Sequence, residues 1–539
     1  MSIIAKELSY IHPDREALFA DISFSVEKGS KIALVGNNGV GKSTLLKILA
    51  GVSMPSSGEI IMTDTSYYVP QHFGQYGHLT IAQALGIDTK MKALHAILGG
   101  DASVDNFTDL DDDWSIEERA LTALSLWGLD YLWLSQPMET LSGGEKTRVF
   151  LAGIAVHTPQ TILMDEPTNH LDFAIREKLY QLIESSGATI IVVSHDRTLL
   201  NKLSSIYELR NDEIVYYAGN YGFYKEQKEI EISSLQARLE DKEKELRLAR
   251  KVARETAERK QKHESRGKKL SMKKGVGKMA MDTLQDKAEK SASKLKGVHD
   301  GKMKSISEDI LGLQSSIPDL TAMKTDFNTS SLHTGKILVT AKEVNFSYGD
   351  KPLWQEPLSF QIKSGDRIAI KGGNGSGKTT LLKLITGDLL PNAGTLEKAD
   401  FKYIYLDQEY SIINNELTVL GQIEQYATGM QDHEIKTVLN RFLFTYGTWD
   451  KPCSKLSGGE KMKLALCCLM VSADTPDMFI LDEPTNNIDI QNIGILTATI
   501  RDYKGTVLVV SHDGYFVEEI GVESPSNLPG GKAFELTRL

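Results

Sequence analysis

Short apolar runs punctuate both halves of the chain: residues 31–35, 161–164 and 189–193 in the first half, 367–370, 478–481 and 506–510 in the second. A half-exposed strand alternates apolar and polar positions, whereas these runs are nearly continuous, as expected of strands covered by helices on both faces. Glycine-rich loops follow 31–35 and 367–370, and residues 45–50 and 381–385 then carry helical apolar spacing. The pattern predicts an α/β fold with a largely parallel central sheet, present twice.

Between the halves the texture changes. Residues 225–263 contain no glycine or proline and are dense in Glu, Lys, Arg, Ala and Leu, which predicts one long helix. Ser265-Arg266-Gly267, with Gly275 and Gly277 beyond, predicts a break; a second helical stretch over 282–316 is expected to be interrupted at 297–301. Helix, loop, helix implies an antiparallel α-helical hairpin linker, with arms of about 50–60 Å at 1.5 Å per residue. Domains are therefore expected at 1–223, 224–330 and 331–539.

The halves are copies of each other. Gly36-Asn37-Asn38-Gly39-Val40-Gly41-Lys42-Ser43-Thr44 returns 336 residues later as Gly372-Gly373-Asn374-Gly375-Ser376-Gly377-Lys378-Thr379-Thr380. Leu141-Ser142-Gly143-Gly144-Glu145 returns as Leu456-Ser457-Gly458-Gly459-Glu460, and Asp165-Glu166-Pro167-Thr168-Asn169 as Asp482-Glu483-Pro484-Thr485-Asn486. His195 and His512 each stand 29 residues after the glutamate of their copy. So long a period means duplicated domains rather than a solenoid.

Each glycine-rich segment lies between a strand and a helix and has the G-x4-G-K-[ST] form of a phosphate-binding loop. Glycine lets backbone N–H groups converge on phosphate oxygens, and the following helix points its positive end at them. Lys42 and Lys378 are expected to reach the β/γ-phosphates of ATP, and Ser43 and Thr379 to ligate Mg²⁺. Asp165 and Asp482, at strand ends, complete the metal site; Glu166 and Glu483 polarise the attacking water. His195 and His512 end the next strand, where an imidazole meets the γ-phosphate.

The Leu-Ser-Gly-Gly-Glu segments resemble the signature of ATP-binding cassette proteins, and with the other motifs the resemblance covers essentially the whole chain outside the connector. It implies that Ser142, Gly143, Gly144 and Glu145 complete the site of Lys378, and that Ser457, Gly458, Gly459 and Glu460 complete that of Lys42. It further implies that Gln71 and Gln408 contact metal and water, and that Tyr10 and Tyr348 stack on adenine. Two cassettes in one chain, Glu-Pro-Thr-Asn-His-Leu-Asp at 166–172 and a helical connector resemble the ABC-F branch: ribosome-associated translation factors and antibiotic-resistance ribosome-protection proteins. The linker of that branch enters the tRNA exit-site region and reaches toward the peptidyl-transferase centre, so the implied partner is the ribosome, its RNA and tRNA.

Charge sharpens the connector. The chain has 61 Lys+Arg against 72 Asp+Glu, yet residues 246–304 hold 19 basic against 7 acidic side chains. Arg266, Lys268, Lys269, Lys273, Lys274 and Lys278 cluster at the expected bend and suit phosphates without base specificity. Segment 86–115 lengthens the first copy by 21 residues and is acidic, so no full ribosome-binding arm is expected there. Three cysteines are too few for a zinc or iron–sulfur cluster. No run of 18 apolar residues and no secretory leader are seen, which makes the cytoplasm the expected compartment. An exporter ATPase subunit or a DNA-maintenance ATPase are the alternatives; the first leaves the basic hairpin without a task, and the second lacks its zinc ligands or very long coiled coils. The second copy departs from the first at Asn487 and Ile488, where the first has His170 and Leu171, at Lys463 for Arg148, and at Lys371 for Val35.

Overall fold

The computed structural model describes residues 3–12, 17–101, 103–210, 213–274, 297, 301–313, 332–427, 429–442, 444–472, 476–486, 488–522 and 531–535. The chain divides into two compact units: Met1–Phe223 together with Leu320–Leu539, and Tyr224–Asp319.

In the first unit each sequence half builds the same two sheets. In the first half, strands Ala17–Val26, Ile3–Ile11 and Ser57–Met62 form a three-stranded antiparallel sheet. A six-stranded sheet runs in the order Ser66–Val69, Thr161–Asp165, Thr189–Val193, Lys31–Val35, Ser205–Leu209, Ile214–Tyr217, parallel except for the last hairpin. The second half repeats this with Leu358–Lys363, Ile337–Asn345 and Ala393–Lys398, and with a parallel sheet ordered Tyr403–Leu406, Met478–Asp482, Thr506–Val510, Arg367–Lys371, Gly531–Glu535. Every residue of Thr161–Asp165, Thr189–Val193, Met478–Asp482 and Thr506–Val510 is buried, which is why those runs lack alternation. Helices Lys42–Leu49 and Lys378–Thr386 follow the glycine loops, and Gly143–His157 and Gly458–Val471 follow the signature serines.

The acidic segment of the first half folds as helices Asp88–Leu98 and Val104–Leu110. Asp113 is bonded to Arg119 at 2.8 Å and lies 3.4 Å from Lys90, so part of its acidity is neutralised locally.

The second unit contains most of one helix, Tyr221–Lys274, 54 residues long. This corrects the break expected at Ser265-Arg266-Gly267: the backbone stays helical to Lys274. A single helical glycine costs only about 1 kcal/mol, and Gly267 is flanked by strong helix formers. Gly297 and residues 301–313 are also helical; 298–300, inside the interruption expected at 297–301, lie outside the described residues. Lys242 meets Asp309 at 2.8 Å and Glu245 meets Lys302 at 3.6 Å. The pairing advances along one helix as it retreats along the other, so the two are antiparallel. The backbone of Arg266, Lys268, Lys269, Lys273 and Lys274 is described but their side chains are not; Lys278 lies outside the described residues, as does Asn487.

Candidate ATP sites

Both phosphate loops end at a glycine with positive φ, Gly41 at 105° and Gly377 at 92°. A Cβ on Gly41 would approach Leu18 and Phe19 to 2.8–2.9 Å, and one on Gly377 would approach the Trp354 indole nitrogen to 2.9 Å, so only glycine brings the loop backbone onto its helix. Lys42 Nζ donates to the carbonyls of Gly36 (2.7 Å) and Asn37 (3.0 Å); Lys378 does the same with Gly372 (2.8 Å) and Gly373 (3.1 Å). Each ammonium is thus held inside its own loop.

The hydroxyls after the lysines point at the strand-end aspartates. Ser43 Oγ donates to Asp165 at 3.1 Å, and Thr379 Oγ1 to Asp482 at 3.0 Å. The same carboxylates accept from Tyr68 (3.3 Å) and Tyr405 (2.9 Å), two residues that the sequence reading missed. They recur three residues before Gln71 and Gln408, so the internal repeat carried the signal. Among the described residues no group of three or more His, Cys, Asp or Glu could hold a metal by itself. The Ser/Thr–Asp pair suits Mg²⁺, which is usually held by one or two carboxylates with phosphate and water completing its shell.

Glu166 and Glu483 share an unusual backbone, φ 49° and 50°. Their amides donate to Val193 and Val510 at 2.8 Å, closing each strand end onto the next. One carboxylate oxygen accepts from the backbone N–H of His195 (3.3 Å) or His512 (3.2 Å). The other, Oε1, lies 3.3 or 3.2 Å from the imidazole Nε2 but without hydrogen-bond geometry, and is a buried acceptor with no partner. An orphaned acceptor aimed into a cleft fits a group that receives a hydrogen bond from substrate or water. Burial, with Asp165 adding to it, pushes the Glu166 carboxyl up to about 8. Burial also raises Glu483, but there Arg176 of the first half and Lys378 pull it back. Burial, then Lys42, holds His195 well below the ordinary histidine range; burial and Arg176 take His512 to about 3. Both imidazoles are neutral.

Ser142 and Ser457 cap their helices: Glu145 N and Glu460 N donate to the serine hydroxyls at 3.3 Å, and the glutamates accept in return from the serine amides at 2.7 and 2.8 Å. Glu145 is also bonded to Tyr131, Glu460 to Lys451.

The halves meet at these loops. Asn38 N donates to Asp489 at 3.3 Å; Asn374 N donates to Asp172 at 3.5 Å and its side chain to the His170 carbonyl at 2.8 Å. Ser457 of the second half lines a cleft of about 490 Å³ around Lys42, with Ser43, Thr44, Gln71, Glu166 and His195. A Cβ on Gly144 would lie 3.8 Å from the Asn374 amide, which places the first signature at the second phosphate loop. Each loop is therefore touched by the opposite half, through aspartates that the sequence reading had not singled out.

Two copies of a phosphate loop, an acidic strand end and a signature helix, facing head to tail, invite comparison with known proteins. The sequence profile of the "ABC transporter" family matches residues 19–169 and 355–486. "Putative ATP-binding protein YdiF" of Bacillus subtilis is 31% identical over 94% of this chain and 77% of its own length. "ABC transporter F family member 5" of Arabidopsis thaliana is 30% identical over 93% of this chain and 71% of its own. The chain belongs to the ABC-F family. It is an ABC-F-type tandem ATPase that binds nucleotide in two cassettes. Among solved structures, an archaeal ribosome recycling factor, aABCE1, in complex with ribosomal stalk protein aP1, matches with TM-score 0.56 and 19% identity over 98% of this chain and 89% of its own; this likeness is one of fold. No helix of the described residues is long and apolar enough to cross a membrane.

Within this ABC-F chain the two tyrosines placed on adenine separate. Tyr348 is 73% exposed and its hydroxyl is 3.0 Å from Thr380 of the phosphate-loop helix. Tyr10 instead packs against Phe19 and edge-on to His12, and it is His12 and Leu18 that line the cleft. The register explains the shift: the left-handed bulge residues Glu7 and Glu343 correspond, so His12 is the counterpart of Tyr348, and Tyr10 that of Phe346. Gln71 lines the first cleft, while Gln408 is exposed in the turn after Tyr403–Leu406.

Proposed function

We propose that this ATPase is an ATP-gated ribosome binder: ATP closes the two cassettes on each other, the closed chain holds the ribosome through its basic helical hairpin, and hydrolysis releases it. The observation that carries the reading is the reciprocal contact of each phosphate loop with the opposite cassette, Asn38 with Asp489 and Asn374 with Asp172, in a chain whose halves are joined by a basic hairpin. The family supports it, and so do the ribosomal partners named for the aABCE1 structure.

Lys42, Gly36, Asn37, Asn38, Gly39, Val40, Gly41 and Thr44 hold one triphosphate; Lys378, Gly372, Gly373, Asn374, Gly375, Ser376, Gly377 and Thr380 hold the other. Ser43, Asp165 and Gln71, and Thr379, Asp482 and Gln408, would hold Mg²⁺, which when bound neutralises charge on the β- and γ-phosphates. Glu166 and Glu483 orient water and accept its proton through the orphaned Oε1. Neutral His195 and His512 donate one N–H to the γ-phosphate. The signature residues Ser142–Glu145 and Ser457–Glu460 close each site from the opposite cassette. Arg266, Lys268, Lys269, Lys273, Lys274 and Lys278 meet ribosomal RNA or tRNA near the exit site and the peptidyl-transferase centre.

The test is co-sedimentation with ribosomes. Glu166→Gln with Glu483→Gln is expected to trap the chain on ribosomes when ATP is present and to leave it free without ATP. Absence of any ATP-dependent association sinks the proposal.

A further inference from the structure

Each catalytic histidine is followed by an aspartate, and both aspartates lie, largely covered, against an arginine of the first cassette. Asp196 accepts from Tyr180 at 2.5 Å and lies 3.6 Å from Arg176. Asp513 belongs to the second cassette, yet its partner is Arg197, at 3.2 Å. The second cassette returns neither cation: Ile493 stands where Arg176 does, four residues after the aspartate that opens the helix, and Gly514 stands where Arg197 does, two residues after the histidine.

Arg197 is built in. Its side chain is 5% exposed; the other end of the fork meets Glu519 at 2.6 Å, and the guanidinium lies 5.6 Å from the Tyr515 ring. Asn201, at the end of the same short helix, donates to the Tyr515 hydroxyl at 2.8 Å and accepts from the Gly222 amide at 3.0 Å, where the long helix begins. A buried ion pair gains little net stability, because desolvation offsets the attraction, and its better-attested use is to fix register between elements. Here the two registered elements are the loops that carry His195 and His512. From one histidine to the other the path is two residues, one forked ion pair, and one residue.

We propose that Arg197 is a one-sided latch that couples the two ATP sites, so that the state of one His–Asp loop sets the position of the other. Because Asp513 is covalently next to His512, the second cassette cannot swing away without breaking the latch or dragging that histidine from its place beside Glu483. Arg197 is a positioning residue: it acts through Asp513 and touches no substrate. The inference rests on the reading that Glu166 and Glu483 serve the two hydrolysis sites.

Steady-state ATP turnover of the full chain tests it, with Glu166→Gln or Glu483→Gln introduced singly into the wild type and into Arg197→Met/Asp513→Asn. The double change removes both charges of the buried pair; Glu519, a third exposed, keeps access to water when it loses the arginine. With the latch intact, one Glu→Gln is expected to leave about a tenth of the turnover or less; without it, each is expected to leave about half, the share of an independent site. Arg197→Lys keeps the charge but not the fork, and should give an intermediate fraction. A lower melting temperature with unchanged Glu→Gln fractions would mean a merely structural contact and overturns the inference. If neither Glu→Gln lowers turnover in the wild type, the reading of the two glutamates falls and takes the inference with it.

Discussion

The two cassettes agree at the groups proposed to meet phosphate and metal and disagree at the atoms that hold those groups in place. Hydroxyl to aspartate is 3.1 Å in one and 3.0 Å in the other; glutamate to histidine amide is 3.3 and 3.2 Å. The backbone strain at the glutamate is the same to a degree. Around this shared chemistry the packing has diverged in compensating pairs. Tyr67 and Gly153 in the first cassette are Ile404 and Cys468 in the second; Phe19 beside the phosphate loop is Trp354; the arginines at the seam, Arg176 and Arg197, face Ile493 and Gly514. The two copies share the groups proposed to touch phosphate, while the supports around them differ in neighbouring pairs.

The sharpest way to break that statement is to move one member of a pair alone. A side chain on Gly153 would overlap the Tyr67 hydroxyl, which donates to the Phe150 carbonyl at 3.0 Å, and would press on Leu85. Gly153→Cys is expected to destabilise the first cassette by about 3 kcal/mol through overpacking. Adding Tyr67→Ile, which copies the second cassette's pair, should recover most of that loss in thermal or urea unfolding. A double variant as unstable as the single one would mean that the cassettes are not interchangeable at this position.

The glutamates offer the next test. The Glu166 carboxyl titrates near 8 in the fold against 4.5 when unfolded, so the fold binds the proton more tightly. The stabilisation linked to that proton is complete below pH 4.5 and is lost as the pH rises through about 8. Relative to Glu166→Gln, the nucleotide-free wild type should therefore lose about 3 kcal/mol between pH 6 and 9. Glu483→Gln should show a smaller drift, because Arg176 and Lys378 oppose the rise at Glu483. Melting curves at four or five pH values decide it; equal drifts would remove Arg176 from the account.

Much of this was legible in the chain. Strands apolar on both faces appear as unbroken runs, and a phosphate loop between strand and helix has few other readings. What escaped was whatever depends on a second segment. Asp172 and Asp489 bond to the opposite phosphate loop across more than 200 residues, a distance that no local pattern spans. Tyr10 and Tyr348 stand 338 residues apart, whereas the repeat keeps 336 from Glu7/Glu343 to Lys42/Lys378, so the spacing alone already pairs Tyr348 with His12. The helix break at Gly267 was over-read, since one glycine among strong helix formers is too weak to end a helix.

A smaller contrast concerns the cations after the signatures. Arg148 donates to the carbonyls of Trp127 (3.1 Å) and Gly144 (3.4 Å), tying the signature helix to the turn before it. Lys463, its counterpart, lies over the Phe444 ring at 6.0 Å. Arg148→Lys should cost about 1–2 kcal/mol, because an ammonium cannot span both carbonyls. Lys463→Arg should stay within about 0.5 kcal/mol of the wild type.

A change of about 1 kcal/mol tests the supports most directly. The Trp354 indole N–H donates to the Ser376 carbonyl at 2.9 Å, inside the second phosphate loop, while Asn345 clamps the tryptophan backbone at 2.8 and 3.2 Å. Phe19 offers no such donor to the first loop, and Ser9, in the place of Asn345, is turned to Asp21 instead. Trp354→Phe makes the second support resemble the first. One buried hydrogen bond is worth about 1 kcal/mol, so a drop of that size in stability is expected, with nucleotide affinity at the second site weakened less than about tenfold. If affinity collapses while stability holds, the indole does more than brace the loop. The second cassette would then depend for nucleotide on a contact that the first never had, and the equivalence of the two phosphate sites would fail where it looks strongest.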